Sequence, residues 1–257
     1  MTDSCRVIIS GVTGRMGQRI IKALHQINHI TVVAGVTSHD NKHVGKPISV
    51  ITQNQSDTAP IVSVFDGLEA DVVIDFSQPQ GFNAVVDYCV LSETALVSGT
   101  TGLSQAQFDR ISQAGHFIPV LWAANFSLNM QIIKNLLQVF KQKNQKAEYY
   151  ITETHHQHKK DAPSGTAISL AQSLTDQQQL KILDQHAFNI GEVRINSVRQ
   201  AEVPGTHQIE CQFPHENITV THIAKSGDLF AEGAVKAAQW LVQQGRGLYD
   251  LNAILLA

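Results

Sequence analysis

The sequence predicts an α/β protein whose parallel sheet is interrupted by a second, α+β region, and three observations carry that expectation. Short apolar runs alternate with helical patterns over the first part of the 257 residues. A glycine turn, "GVTGRMG", follows the first of those runs and opens a helix. After Ser127 the rhythm changes to runs of alternating polarity, before a last helical segment restores the earlier pattern.

Taken in order, "RVIIS" predicts a short buried strand from Val7 to Ser10. Met16, Ile20, Ala23 and Leu24 then recur at the three- and four-residue spacings of one helix face. "HITVVAGV" supplies a second strand at the distance of a βαβ unit. Residues 38–60 are polar and weakly patterned, which predicts loop with one short strand. "DVVIDFS" is another strand, followed by a helix in "PQGFNAVVDYCVL", a strand and glycine turn in "TALVSGTTG", and a helix capped by Ser104. "HFIPVLWAANFS" is a further strand ending in a polar corner. Near-continuous apolar strands separated by helices predict a parallel sheet covered on both faces.

Ser127 is placed to cap a long amphipathic helix, "LNMQIIKNLLQVFKQK". Beyond it "EYYITETHH", "EVRINSVR", "HQIECQF" and "ENITVTHIA" alternate in polarity, as half-exposed strands of a mixed or antiparallel sheet do. One helix, "SGTAISLAQSL", breaks them. The final helix lines up Phe230, Ala234, Val235, Ala238, Leu241 and Val242. These boundaries predict a first domain of residues 1–126, completed by 228–257, and an inserted domain of residues 127–227.

Composition narrows the function. The chain is 43% hydrophobic and 16% charged, which fits a globular protein. A net charge of −3 offers no basic field for nucleic acid or an anionic membrane. Cys5, Cys89 and Cys211 are far apart with no metal or redox spacing, so a reducing compartment is expected. "MTDSCRVIISG" runs into a strand with no basic leader or apolar signal core, and no apolar stretch reaches the roughly 18 residues of a spanning helix. The expectation is a cytoplasmic protein without nucleic-acid or membrane partners.

Gly11, Gly14 and Gly17 sit where a strand turns into a helix. Glycine lets backbone approach a pyrophosphate, and the helix start offers N–H groups to it. The alternative is a tight turn that binds nothing. A dinucleotide site of the Rossmann type expects an acid about 20 residues on, gripping the ribose 2′-OH. Here Thr37 and Ser38 stand at that strand tip, Asp40 comes later, and Ser38, His39 or Lys42 could hold a 2′-phosphate. The reading leans toward NADPH, or toward little discrimination between NADPH and NADH.

The densest chemistry is in "THHQHKKDAPSGTA", residues 154–167. A zinc site is one reading, but on a strand His155 and His156 point to opposite faces, and no helical H-x-x-x-H pair is available. A solvated basic loop is a second. In the third, Pro163 fits a first helical turn, Gly165 and Thr166 present N–H groups, and Lys159 and His156 add cationic donors: a seat for a small dicarboxylate, with a histidine to deliver a proton.

With these motifs in order ("GVTGRMG", "DVVIDFSQP", "SGTTG", "AANFS", E-x-H-H-x-x-K-x-D-A-P-S-G-T-A and "FAEGAVKAAQWL"), nearly the whole chain resembles the 4-hydroxy-tetrahydrodipicolinate reductases (dihydrodipicolinate reductases) of lysine biosynthesis. The resemblance implies a Rossmann-type parallel-sheet domain and an inserted α+β domain that binds substrate and builds a homotetramer. It implies that Gly11, Val12, Thr13, Gly14, Arg15 and Met16 form the pyrophosphate turn. It likewise implies that Gly99, Thr100 and Thr101 line the nicotinamide side, with Ala123, Ala124, Asn125 and Phe126 at the adjoining strand end. His155 is implied as the general acid and Lys159 as its partner, with His156, Gly165 and Thr166 on the substrate carboxylates and no metal. His158 is left to solvent. Thr100 and Thr101 as plain turn residues, and Asn125 as a backbone partner at a corner, are the structural alternatives.

The chain departs from the family's pattern twice: no acid stands near Thr37, and Gly227 occupies the place of the usual Arg after Ser226. The implied reaction is NAD(P)H-dependent reduction of a cyclic unsaturated dicarboxylate. Its rivals are an amino-acid dehydrogenase on the same two-domain plan and a dinucleotide sensor without turnover.

Overall fold

The computed structural model describes residues 4–143, 147–157, 159, 161–200 and 205–256. The chain forms two units, Met1–Phe126 with Asp228–Ala257, and Ser127–Gly227.

The first unit begins β1 (Cys5–Ser10), α1 (Arg15–Leu24), β2 (Ile30–Val36), α2 (Ser49–Thr52), β3 (Ile61–Val62) and β4 (Val72–Asp75). It continues α3 (Pro79–Leu91), β5 (Ala95–Ser98), α4 (Gln105–Ala114) and β6 (Pro119–Trp122). The second unit holds α5 (Leu128–Lys143), β7 (Glu148–His155), α6 (Gly165–Gln172), β8 (Leu180–Ile182), β9 (Ala187–Ile190), β10 (Val193–Arg199), β11 (Thr206–Gln212) and β12 (Asn217–Ile223). The chain then returns to the first unit with α7 (Asp228–Leu241), β13 (Gly247–Tyr249) and α8 (Leu251–Leu255).

The first sheet runs β13-β6-β5-β4-β1-β2-β3, and every pairing in it is parallel. Val7, Ile8, Ile9, Val72, Val73, Ile74, Leu96 and Val97 are fully buried, which is why these strands read as unbroken apolar runs. The strand order reverses direction between β1 and β4, the place where open α/β sheets leave a ligand crevice at their carboxyl ends. Backbone bonds carry the ladder past the strand tips there: Gly11 N–H donates to Val36, Phe76 to Ser10, Gly99 to Asp75 and Ala123 to Ser98, at 2.8–3.1 Å.

The second sheet runs β12-β11-β7-β10-β9-β8 and is mixed, with β7 and β10 parallel and the other pairs antiparallel. Tyr149, Ile151, Glu153 and His155 alternate inward along β7. The apolar members of that row pack with Met130 and Leu137 of α5 and with Ala167, Leu170 and Ala171 of α6.

Several expectations need correction. Residues 38–60 contain a helical turn, α2, and a lone bridge between Pro47 and Pro60; the short strand follows at β3. The second unit has six strands rather than four, because β8 and β9 are too short to show an alternating pattern. An Asx turn joins them: Asp184 accepts from the backbone N–H groups of His186 and Ala187 at 2.7 and 2.8 Å. The C-terminal β13 and α8 lay outside the sequence reading for the same reason. Phe230 in α7 is only half-buried, as is Val242 just past its end; the covered face is Ala231, Ala234, Val235, Ala237, Ala238 and Leu241. Small side chains let this helix lie close on α1 and the sheet, which widens the face it hides.

Candidate active site

At the crevice of the first unit, Gly11 takes φ +79°, a left-handed backbone open to glycine, and a Cβ there would strike the Phe76 carbonyl. The turn closes with Gly14 N–H donating to Gly11 O at 3.0 Å. Helix α1 then starts from Gly14 without a side-chain cap and without an acid in its first turn. That leaves a helix start suited to an anion. Arg15 is exposed beside it, Met16 is half-buried, and Val12 lies buried beneath Gly35. Thr13 Oγ1 and Thr37 Oγ1 are 2.9 Å apart, and Asn41 Nδ2 donates to Thr13 Oγ1 at 3.2 Å. The hydroxyl at the acid position thus braces the glycine turn, while Ser38 is exposed.

Across the crevice, the loop after β5 hangs on one buried carboxylate. Asp75 accepts from Ser98 Oγ at 2.9 Å, Thr100 Oγ1 at 2.7 Å and Ser77 N–H at 3.2 Å. Thr100 therefore turns inward, and its carbonyl accepts from Trp122 Nε1 at 3.0 Å, while Thr101 is exposed. A Cβ on Gly99 would run into the Phe76 ring, which pairs with Phe126 at a centroid distance of 5.3 Å. Phe126 is buried, Ala124 exposed, and Ala123 and Asn125 half-buried. A glycine cradle, an uncapped helix start and a braced loop on one sheet edge fit a dinucleotide.

In the second unit the cluster is built across three strands. Glu153 on β7 is paired in register with Ser197 on β10 and His207 on β11, so three polar side chains meet in one buried row. Glu153 Oε1 accepts from Ser197 Oγ at 2.7 Å and Ser164 N–H at 3.0 Å, and lies 3.4 Å from the Arg199 guanidinium. Its Oε2 faces His155 Nδ1 at 3.2 Å and His207 Nε2 at 3.9 Å. Burial opposes ionisation of Glu153, but contacts from His155, Ser164 and Ser197 outweigh it and hold the carboxyl well below the usual range. Burial, with His155 close by, pushes His207 the other way for a base, down to about 4, so this ring stays neutral.

One ligand-type atom from each of Glu153, His155 and His207 lies within 4.8 Å of the others, a spacing a metal could also use. Here Arg199 and two hydrogen-bond donors already answer the carboxylate's charge.

Past His155 the chain leaves the strand, and Lys159 N–H donates to His156 O at 3.1 Å. Lys159 Nζ pairs with Asp161 at 2.8 Å, and Asp161 O in turn accepts from Arg199 at 2.5 Å. His156 is half-buried. Helix α6 starts at Gly165, not at Pro163, because Ser164 is its N-cap: Ser164 Oγ accepts from Ala167 N–H at 3.2 Å. Pro163 therefore lies outside the helix. Gly165, exposed, and Thr166, half-buried, provide the first N–H groups. His158 lies outside the described residues.

The profile described as "Dihydrodipicolinate reductase, N-terminus" matches residues 5–126, and "Dihydrodipicolinate reductase, C-terminus" matches residues 126–255. The chain belongs to the dihydrodipicolinate reductase family. Among relatives of this reductase, the 4-hydroxy-tetrahydrodipicolinate reductase of Rickettsia bellii is 34% identical over 95% of this chain and 91% of its own. That of Pseudoalteromonas atlantica is 32% identical over 97% and 98%. A dipicolinate-bound dihydrodipicolinate reductase from Paenisporosarcina sp. TG-14 shares the fold, with a TM-score of 0.78, 22% identity, and coverage of 96% and 97%. Membership makes the chain an NAD(P)H-dependent oxidoreductase with a nucleotide-binding Rossmann-like sheet and a small-molecule dicarboxylate substrate.

Sequence reasoning missed four residues of this reductase's cluster: Glu153, Arg199, His207 and Ser164 as a cap. Glu153 had a signal, since it lies two residues before His155 and so shares its face of the strand. Arg199 and His207 had none, being 46 and 54 residues from Glu153 in the chain and joined to it only by sheet register. Asp75 was likewise read only as the end of a strand.

Proposed function

We propose that the protein reduces 4-hydroxy-tetrahydrodipicolinate (dihydrodipicolinate) to tetrahydrodipicolinate with NADPH or NADH, in the diaminopimelate route to lysine. One observation carries this reading: His155 is buried in a braced cluster beside the capped start of α6, a proton donor next to a helix end suited to a carboxylate. The reductase activity of the relatives from Rickettsia bellii and Pseudoalteromonas atlantica supports it.

A reduced nicotinamide supplies the hydride when bound. Gly11, Val12, Thr13, Gly14, Arg15 and Met16 would hold its pyrophosphate, and Ser38 its ribose end. Gly99, Thr100 and Thr101, with Ala123, Ala124, Asn125 and Phe126, would flank its nicotinamide. In the second unit His156, Gly165 and Thr166 hold the substrate carboxylates. As C4 of the ring is reduced, electron density moves to the adjacent carbon, where His155 delivers a proton with Lys159 assisting. A site of this kind must bring the reacting atoms to about 3–3.5 Å. The exposed edge strand β12, with Ile223 63% exposed, supports assembly into a homotetramer through the second unit. The free, scattered cysteines support a cytoplasmic setting.

The test is loss of nicotinamide absorbance on substrate formed in situ from pyruvate and aspartate semialdehyde. Turnover with both cofactors, faster with NADPH, is expected. Folded protein that binds cofactor yet turns over neither overturns the reading.

A further inference from the structure

The buried row in the second unit centres on a carboxylate that takes no direct part in the reaction just described. Glu153 has a fully buried side chain. Its Oε1 is saturated by Ser197, Ser164 and Arg199. Its Oε2 and the Nδ1 of His155 are both buried, and among the described residues neither has an aligned hydrogen bond to any other group. They face each other at 3.2 Å. Leaving either atom unpaired in the interior is costly, and one proton on Nδ1 answers both. Such contacts are often loosely aligned before substrate arrives and tighten on binding.

Among the described residues, the groups around His155 leave that role to Glu153. His207, from β11, has its ring 5.2 Å away, but its Nε2 lies 3.3 Å from Ser164 Oγ and the ring is neutral. Arg199, from β10, sits on the far oxygen of the carboxylate. Lys159, in the following turn, is paired with Asp161. The other ring nitrogen, Nε2, looks toward Gly205, where an added Cβ would stand 3.1 Å away. With Nδ1 protonated, Nε2 is the atom that gains and gives up a proton.

We propose that Glu153 is a positioning residue: by accepting the Nδ1–H of His155 it holds the ring in the form whose Nε2 carries the transferable proton. The same carboxylate, through Ser164 N–H, fixes the cap that starts α6, so proton donor and carboxylate seat share one anchor. The inference rests on the reading of His155 as the acid. In the step, the Nε2–H bond breaks and a C–H bond forms on the substrate. The ring is left neutral with its proton on Nδ1, Glu153 stays ionised, and water restores the Nε2 proton for the next turnover.

The experiment pairs nitrogen-15 histidine NMR of the full chain with kinetics of Glu153→Gln. In the wild type the neutral His155 ring is expected to carry its proton on Nδ1; a ring with bare Nδ1 and protonated Nε2 overturns the inference, whether or not the enzyme turns over. In Glu153→Gln the amide N–H₂ faces Nδ1 and the tautomer is expected to reverse. Loss of kcat by about 10²-fold or more, KM close to wild type, and an acid-dependent limb displaced to lower pH are expected. A folded Glu153→Gln enzyme with wild-type kcat and pH profile overturns the proposal. A wild-type enzyme inactive on the substrate sinks the functional reading instead, and the NMR result still decides the tautomer.

Discussion

Two helix starts, α1 in the first unit and α6 in the second, are built in opposite ways. Helix α1 begins from Gly14 with no side chain over its end, and the seat there is made of backbone. Helix α6 begins from Ser164, whose Oγ takes the Ala167 N–H and whose own N–H is held by a buried carboxylate. A bare start accepts any phosphate that the glycine turn admits. The second is tied through Glu153 to the His155 ring, so the proposed carboxylate seat and proton donor share one anchor. Breaking one site should therefore alter cofactor binding, and breaking the other should alter catalysis and its pH dependence.

The largest separation is expected at the proposed catalytic pair, His155 and Lys159. His155→Gln removes the proposed acid and is expected to lower kcat by about 10²–10⁴-fold, with cofactor KM unchanged. Lys159→Ala removes a cation as well as a partner, so kcat falls and substrate KM rises. Steady-state kinetics with each substrate varied checks both. A Lys159→Ala enzyme with normal kcat and KM would remove Lys159 from the site.

Next comes acid stability, to which the second unit contributes through His207 and Glu153. His207 binds a proton near pH 6.5 when unfolded but only near about 4 in place. Between those values the unfolded chain holds more protons, so stability falls as pH is lowered, by about 3 kcal/mol over the window. Glu153, held below its usual range, adds a further loss once the pH drops below about 4.5, where the unfolded carboxyl takes up its proton. His207→Gln is expected to flatten the upper slope in denaturant titrations at stepped pH. Both tryptophans, Trp122 and Trp240, lie in the first unit, so their fluorescence follows that unit while circular dichroism follows both. An unaltered slope in His207→Gln would place the acid sensitivity elsewhere.

The same contrast explains what could be read from the chain. The α1 site was legible because its parts are consecutive: three glycines, a strand before and a helix after. The parallel sheet was legible because burial on both faces leaves continuous apolar runs such as Val72–Asp75. His155, Lys159, Gly165 and Thr166 were legible because they share one stretch. Glu153 as hub was not, since its partners Ser164, Ser197, Arg199 and His207 are gathered by strand register, and register is not written in any local pattern. Asp75 was hidden differently: at the end of an apolar strand its carboxylate reads as a boundary, although it organises the next loop.

That loop gives the third prediction. Asp75→Asn replaces one of the two oxygens by N–H₂, which then faces either the Ser98 and Thr100 hydroxyls that donate to Oδ2 now or the Ser77 N–H that donates to Oδ1. The expected cost is about 1–3 kcal/mol, as for a buried partner left unmatched. Because Thr100 sets the course of the Gly99–Thr101 loop, cofactor affinity should weaken with it, while the pH dependence of kcat stays as in the wild type. Fluorescence titration with NADPH and a thermal melt check the pair of effects. A pH profile that moved would erase the distinction between the backbone-built start of α1 and the Glu153-braced start of α6.

The smallest expected effect is at Thr37, and it sharpens the question of which cofactor the bare helix start receives. Thr37 Oγ1 meets Thr13 Oγ1 at the tip of β2, where a dinucleotide fold expects an acid for the ribose 2′-OH. Thr37→Asp keeps a partner for the Thr13 hydroxyl, because a carboxylate accepts from it. It also sets a negative charge where a 2′-phosphate would lie, and an exposed pair of like charges at about 4 Å costs about 1 kcal/mol. The ratio of kcat/KM for NADPH to that for NADH should therefore fall roughly fivefold, with kcat for NADH unchanged. If the ratio does not move, the ribose lies away from the β2 tip, and the hydroxyl pair of Thr13 and Thr37 braces the turn without selecting the cofactor.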